Sequence, residues 1–201
     1  MPSPDTAADA GTDLTVRRGY HHGNLRESLL EAARRLTAER GPHGFTLAEA
    51  ARLAGVSASA PYRHFRDKEA LLAELGQRGF AEFGKRMRDA AAGGGLAAMG
   101  PAYLRFAREE PGYYGVMFGW RTPKEGEVEG SSSFGALVGA IARAFPASVE
   151  PERARLLGLQ VWAMSHGVAG LERGGWPPAG SGVPAPEEVL SIAVAKLIST
   201  G

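Results

Sequence analysis

The residues with the most chemistry to offer lie within twelve positions, Ser57-Ala58-Ser59-Ala60-Pro61-Tyr62-Arg63-His64-Phe65 followed by Asp67-Lys68. Small hydroxyl and methyl side chains beside a bidentate donor, a phenol, an imidazole and an ammonium are suited to reading base edges and gripping phosphates. The remaining candidates for chemistry are poorer. With no cysteine in the chain, thiol catalysis, thiolate metal sites and disulfides are all excluded. Gly79-Phe80-Ala81-Glu82-Phe83-Gly84-Lys85 opens like a phosphate-binding loop, but Arg86 stands where Ser or Thr is needed, and the run lies inside a helical pattern whose N–H groups are already used. Ser165 and His166 are neighbours, so on a helix they point about 100° apart and form no nucleophile pair. No two histidines stand four apart, so no metal site and no cofactor is expected.

Charge supports the nucleic-acid reading. The chain of 201 residues has a formal net charge of only +1, yet residues 17–68 carry ten basic and five acidic side chains, and residues 1–16 only Asp5, Asp9 and Asp13. A nucleic-acid footprint is local in this way and averages out over a whole chain. Arg17 and Arg18 precede the basic segment as a candidate DNA-tracking arm.

The elements that must position these residues read as helices throughout. Asn24 with Glu27, and Thr46 with Glu49, are capping boxes, opening one helix to about Gly41 and another over Leu47 to Ala54. Gly55 breaks the second, Ser57 is expected to cap a third through about Phe65, and Asp67 a long fourth that Gly93-Gly94-Gly95 should end. A helix, a glycine break and a short second helix have the form of a helix-turn-helix whose second helix lies in the major groove. Further helices are expected around 96–108, 112–119, 134–144, 151–173 and 186–199, with loops over 122–133 and 174–184; no segment alternates with a strand's period. The division expected is a disordered leader over 1–16, a DNA-binding domain over 17–68, a connecting helix over 69–92 and a ligand-binding and dimerisation domain over 93–201. The connecting helix is the expected lever between the two domains. The last two helices are apolar nearly all round, which predicts a homodimer built on them. No stretch approaches the roughly 20 apolar residues of a membrane span, and the N-terminus has no targeting pattern, so a cytoplasmic protein is expected.

The runs Thr46-Leu47-Ala48-Glu49-Ala50-Ala51-Arg52-Leu53-Ala54-Gly55-Val56-Ser57, Tyr62-Arg63-His64-Phe65 and Asp67-Lys68-Glu69-Ala70-Leu71-Leu72 closely resemble the N-terminal domain of the tetracycline-repressor (TetR) family, with Tyr20 to Arg26 as a common lead-in. Trp162 with His166-Gly167 resembles the W-x-x-x-H-G signature of one subset of its C-terminal domains. The resemblance implies an all-α homodimer, with a three-helix DNA-binding domain followed by a larger helical domain holding a ligand pocket. It also implies that Ala58, Ser59, Ala60 and Arg63 face base edges, that Tyr62, His64 and Lys68 face phosphates, and that Thr46 lies near the backbone, with Ser57 at the same surface. Pro61 departs from the helix former that many members carry there.

Composition after Gly95 suits an apolar or aromatic small ligand held by some of Tyr103, Phe106, Tyr113, Met117, Phe118, Phe134, Trp162 and His166. The function expected is a ligand-released repressor of double-stranded DNA. An all-helical enzyme, or an interaction module with a basic face, is the alternative, and loss of binding to the DNA upstream of its gene would favour either.

Overall fold

The computed structural model describes residues 25–119, 132–145 and 149–199, so the expectations for Arg17, Arg18, the leader, the Asn24 cap and most of the 122–133 loop lie outside the described residues. Within them the chain forms seven α-helices and one three-ten turn, with no strand. The helices are α1 (Leu25–Arg40), α2 (Leu47–Leu53), α3 (Lys68–Glu109), α4 (Pro111–Gly119), α5 (Ser132–Ala144), α6 (Pro151–Gly175) and α7 (Pro186–Ser199), and the three-ten turn is Ala60–Arg63. None of the described helices is long and apolar enough to cross a membrane.

Local signals explain the N-terminal part. The Thr46 hydroxyl accepts from Glu49 N at 3.2 Å and the Glu49 carboxylate accepts from Thr46 N at 2.8 Å, a complete capping box that fixes where α2 begins. That backbone hydrogen bond, more than the Thr46 hydroxyl, holds the Glu49 carboxyl below its ordinary range. Gly55, at φ +74°, takes the left-handed conformation that ends α2. Asp67 caps α3 by accepting from Ala70 N at 2.7 Å. Leu29, Ala33, Leu36, Phe45, Leu47, Ala50, Phe65, Leu71 and Leu75 close over one another as a buried core.

One expectation is corrected. The third helix is only the three-ten turn Ala60–Arg63: Pro61 stands in its first turn, and Ser59, the residue before it, makes no side-chain capping bond. The glycine triplet interrupts the fourth helix where expected: Gly95, at φ +62° and ψ −152°, leaves the helical conformation, and α3 is two helical halves joined across that kink, the second running on to Glu109.

A second core fills the space between both halves of α3 and α4 to α7, and it is richer in rings, among them Phe83, Tyr103, Phe106, Tyr114 and Phe134. Besides α3, one further element serves both cores. Val116 of α4 is buried in the N-terminal core, whereas Tyr114 and Met117 of the same helix are buried in the C-terminal one. Its close seat on α1 rests on glycine: a Cβ at Gly112 would stand 2.2 Å from the Arg34 carbonyl oxygen, and one at Gly115 would stand 3.1 Å from Thr37 Cγ2.

Candidate nucleic-acid interface and core cavity

The segment from α2 to the start of α3 presents its polar residues outward. Thr46, Ser57, Ala58, Ser59, Tyr62, Arg63 and His64 are exposed, and Ala60 is half-buried. Tyr62 keeps 62% of its surface in solvent, so it does not pack inside the motif as its apolar neighbours do. Phe65 and Pro61 are buried beneath the turn and hold it down. Arg52 and Arg66 are exposed on the same segment, and only the local charge excess could have marked them in the sequence. Lys68 is different in kind. Its Nζ donates to the Phe45 carbonyl at 2.6 Å and lies 4.5 Å from the centre of the Phe45 ring, so it ties α3 to the α1–α2 connection.

In the C-terminal core a cavity of about 310 Å³ has a side chain from every surrounding element in its wall: Phe83 and Tyr103 from the two halves of α3, Phe118 from α4, Phe134 from α5, Trp162 from α6 and Leu190 from α7. Four of the eight residues expected at a ligand therefore line it. The other four do not. Phe106 is fully buried, with Phe83 edge-on at 5.1 Å between ring centres. Tyr113 points to α1, with the Arg34 guanidinium 5.7 Å from its ring centre. Met117 covers Gly79 of α3, where a Cβ would meet its sulfur at 2.8 Å. His166 borders a separate cleft of about 430 Å³ between the α1–α2 turn, α4 and α6, together with Pro42, Tyr114 and Arg173.

A hydrogen-bonded chain separates the two spaces. Tyr114 Oη lies 2.8 Å from His166 Nδ1, and Tyr103 Oη lies 3.2 Å from the same nitrogen and 3.3 Å from Tyr114 Oη. Burial, aided by the Arg173 charge, pushes the His166 pKa down, and burial pushes both tyrosine hydroxyls up. With the imidazole neutral, the network assigns Tyr114 as donor to Nδ1 and Tyr103 as donor to the Tyr114 oxygen. His166 is thus a satisfied internal acceptor, stacked 5.7 Å from Tyr114 and 6.2 Å from Trp162 between ring centres.

Charges lock the two halves of the molecule together. Glu110 accepts from Arg34 of α1 at 3.1 Å and from Arg86 of α3 at 3.4 Å, while Arg34 also reaches Glu31 and Arg86 reaches Glu82 and Glu109. Arg108 joins α3 to Glu172 of α6 and Glu187 of α7 at 2.6 and 2.5 Å.

A basic helix-turn-helix surface carried on a cavity-bearing helical core defines a DNA-binding transcription regulator, and comparison with known proteins agrees. Residues 29–75 match "Bacterial regulatory proteins, tetR family" and residues 96–197 match "Tetracyclin repressor-like, C-terminal domain"; the chain belongs to the TetR family and is a transcription factor, not an enzyme. It is 28% identical over 96 residues to the HTH-type transcriptional regulator YobS of Bacillus subtilis, a match covering 46% of this chain and half the length of that curated relative. A solved protein of unknown function from Rhodococcus sp. RHA1 is 31% identical, with a TM-score of 0.70 over 91% of this chain and 98% of that one. The TetR-family regulator PfmR of Thermus thermophilus shares the fold at 20% identity and a TM-score of 0.62, over 85% and 97% of the two chains. The fatty acid degradation regulator FadR of Bacillus halodurans does so at 16% and 0.63, over 89% and 96%.

Proposed function

We propose that the protein is a cytoplasmic repressor that binds a palindromic operator as a homodimer and is released by a small apolar or aromatic ligand. The exposed segment around the three-ten turn carries the reading: Ala58, Ser59, Ala60 and Arg63 face base edges with Ser57 at the same surface, and Thr46, Tyr62, His64 and Lys68 face the backbone. Only Arg63 among the base-facing residues can form a bidentate pair with guanine, so methyl contacts and DNA shape supply the rest of the specificity. Arg17 and Arg18 complete the interface as an arm. Uncovered apolar surface supports the dimer, since Leu156 (57% exposed), Leu171 (65%) and Ile192 (48%) stand out on α6 and α7. Trp162, His166 and Gly167 support a C-terminal domain of the W-x-x-x-H-G subset.

Coupling between ligand and DNA runs through α4 as well as α3, because Phe118 of α4 borders the cavity while Gly112 and Gly115 lie on α1. Release by 100-fold requires about 2.7 kcal/mol of difference in ligand affinity between the two arrangements. Footprinting of the full chain on the DNA flanking its gene tests the reading: two symmetric protected half-sites are expected, with affinity falling steeply as salt rises. Arg63→Ala should cost about 1–3 kcal/mol and relax specificity at one position of each half-site. No binding to any duplex at low salt would end the proposal.

A further inference from the structure

The cavity has a chemical preference that its shape alone does not convey. Among the described residues, none of the side chains lining it is charged, and the lining holds no histidine; its polar members are tyrosine, tryptophan and serines. The two most buried of these have already spent their hydrogens. Ser165 Oγ donates to the Val161 carbonyl at 2.8 Å, and Tyr103 donates into the Tyr114–His166 chain. Tyr103 also accepts from the Trp162 indole, so the lone pair left to turn toward a ligand is that of Ser165. Among the described residues, the mouth, where Ala97, Ser191 and Ala195 are exposed, adds no charged side chain to the lining.

We infer that this cavity selects an uncharged, mainly apolar ligand that presents a hydrogen-bond donor, such as an alcohol, phenol or amide N–H. The inference rests on the reading of the cavity as the site of the releasing ligand. A carboxylate or ammonium taken into this lining has no counter-charge, so it enters only after neutralising itself. At pH 7.4, an ordinary carboxyl near 4.3 and an ordinary amine near 10.4 each lie about three units from neutrality, which reduces apparent affinity about a thousandfold. An acceptor-only group, a ketone for instance, leaves the lone pair of Ser165 unmatched and forgoes about a fivefold gain. The volume of about 310 Å³ admits about ten non-hydrogen atoms, at ~30 Å³ for each small group.

Calorimetric titration of the full chain with 1-decanol, 2-decanone, decanoate and decylamine at pH 7.4 tests this. The alcohol is expected to bind tightest and the ketone about fivefold weaker. Decanoate should bind about a thousandfold weaker, with an affinity that rises about tenfold for each unit the pH is lowered, and decylamine should show the opposite pH trend. Ala97→Trp at the exposed mouth and Val194→Trp inside should each abolish alcohol binding. Decanoate or decylamine binding within tenfold of the alcohol, independently of pH, would overturn the charge preference while leaving the cavity as the ligand site. A ketone as tight as the alcohol would overturn the donor requirement. If no probe binds, or if the tryptophan variants bind as the parent does, the inference fails together with the ligand site itself.

Discussion

The two cores of this molecule are filled on different plans. Beneath the DNA-facing turn, leucines and alanines mesh until Leu29, Ala33, Ala50 and Leu71 have no exposed surface at all. In the C-terminal half the rings meet edge to face, Phe83 with Tyr103 at 5.3 Å and Tyr103 with Tyr114 at 6.1 Å, and a cavity of about 310 Å³ remains between the helices. Flexible aliphatic chains fill irregular gaps, whereas flat rings fixed by their edges leave voids. On the proposed function, the close-packed core lies under the turn that faces DNA and the more open one surrounds the ligand site.

The largest effect expected from this contrast is a difference in tolerance. Leu71→Ala should cost about 2–5 kcal/mol in denaturant unfolding and abolish DNA binding, while Val194→Leu at the cavity wall should change stability by less than about 1 kcal/mol. Equal costs at the two positions would erase the distinction. The seam between the cores comes next. Gly112→Ala should force α4 off the Arg34 carbonyl, lowering stability by about 1–3 kcal/mol and uncoupling release from ligand binding, which operator titrations with and without ligand would reveal. If release is unchanged in a folded Gly112→Ala protein, α3 alone carries the signal.

Thr37 sits in the same seam, 1% exposed, and its hydroxyl has no hydrogen-bond partner among the described residues. Thr37→Val keeps the shape and removes the unpaired group, so a gain of about 1 kcal/mol is expected in thermal unfolding. The smallest effect concerns pH. A histidine whose folded pKa is depressed favours the folded state above its unfolded value of about 6.5, and that contribution is lost as the pH falls through the folded pKa. Melting temperature should therefore decline on acidification below about pH 6.5, and His166→Gln should flatten that decline. The carboxylates held low by their arginine partners, Glu27, Glu31 and Glu187, act only in a more acidic range, below their ordinary value of 4.5.

Much of the N-terminal half was readable because its signals are short-range: Thr46 with Glu49, Gly55, and Asp67 each determine a boundary within four residues of themselves. The break in α3 was readable in the same way: three glycines in a row argue for an end, and Gly95 leaves the helical conformation there, although the chain resumes as helix directly beyond it. Aromatic content announced the supply for a pocket without the direction of each ring, so Phe106, Tyr113 and Met117 were grouped with Tyr103, Phe118, Phe134 and Trp162 although they face elsewhere. The role of α4 did leave a trace. Gly112, Gly115 and Gly119 recur at helical spacing, a bare stripe that only a close neighbour explains.

That stripe also sets what can be exchanged between relatives. A DNA-reading segment moved onto another regulator's C-terminal half would bring α1, with the Arg34 carbonyl and Thr37 on its outward side and Pro42 just beyond its end, but would leave behind the helix shaped to receive them. A working chimera must therefore inherit α4 together with α1, even though more than seventy residues of chain separate their starts. The heritable module in this protein is a surface shared by two distant segments, not a continuous stretch of sequence.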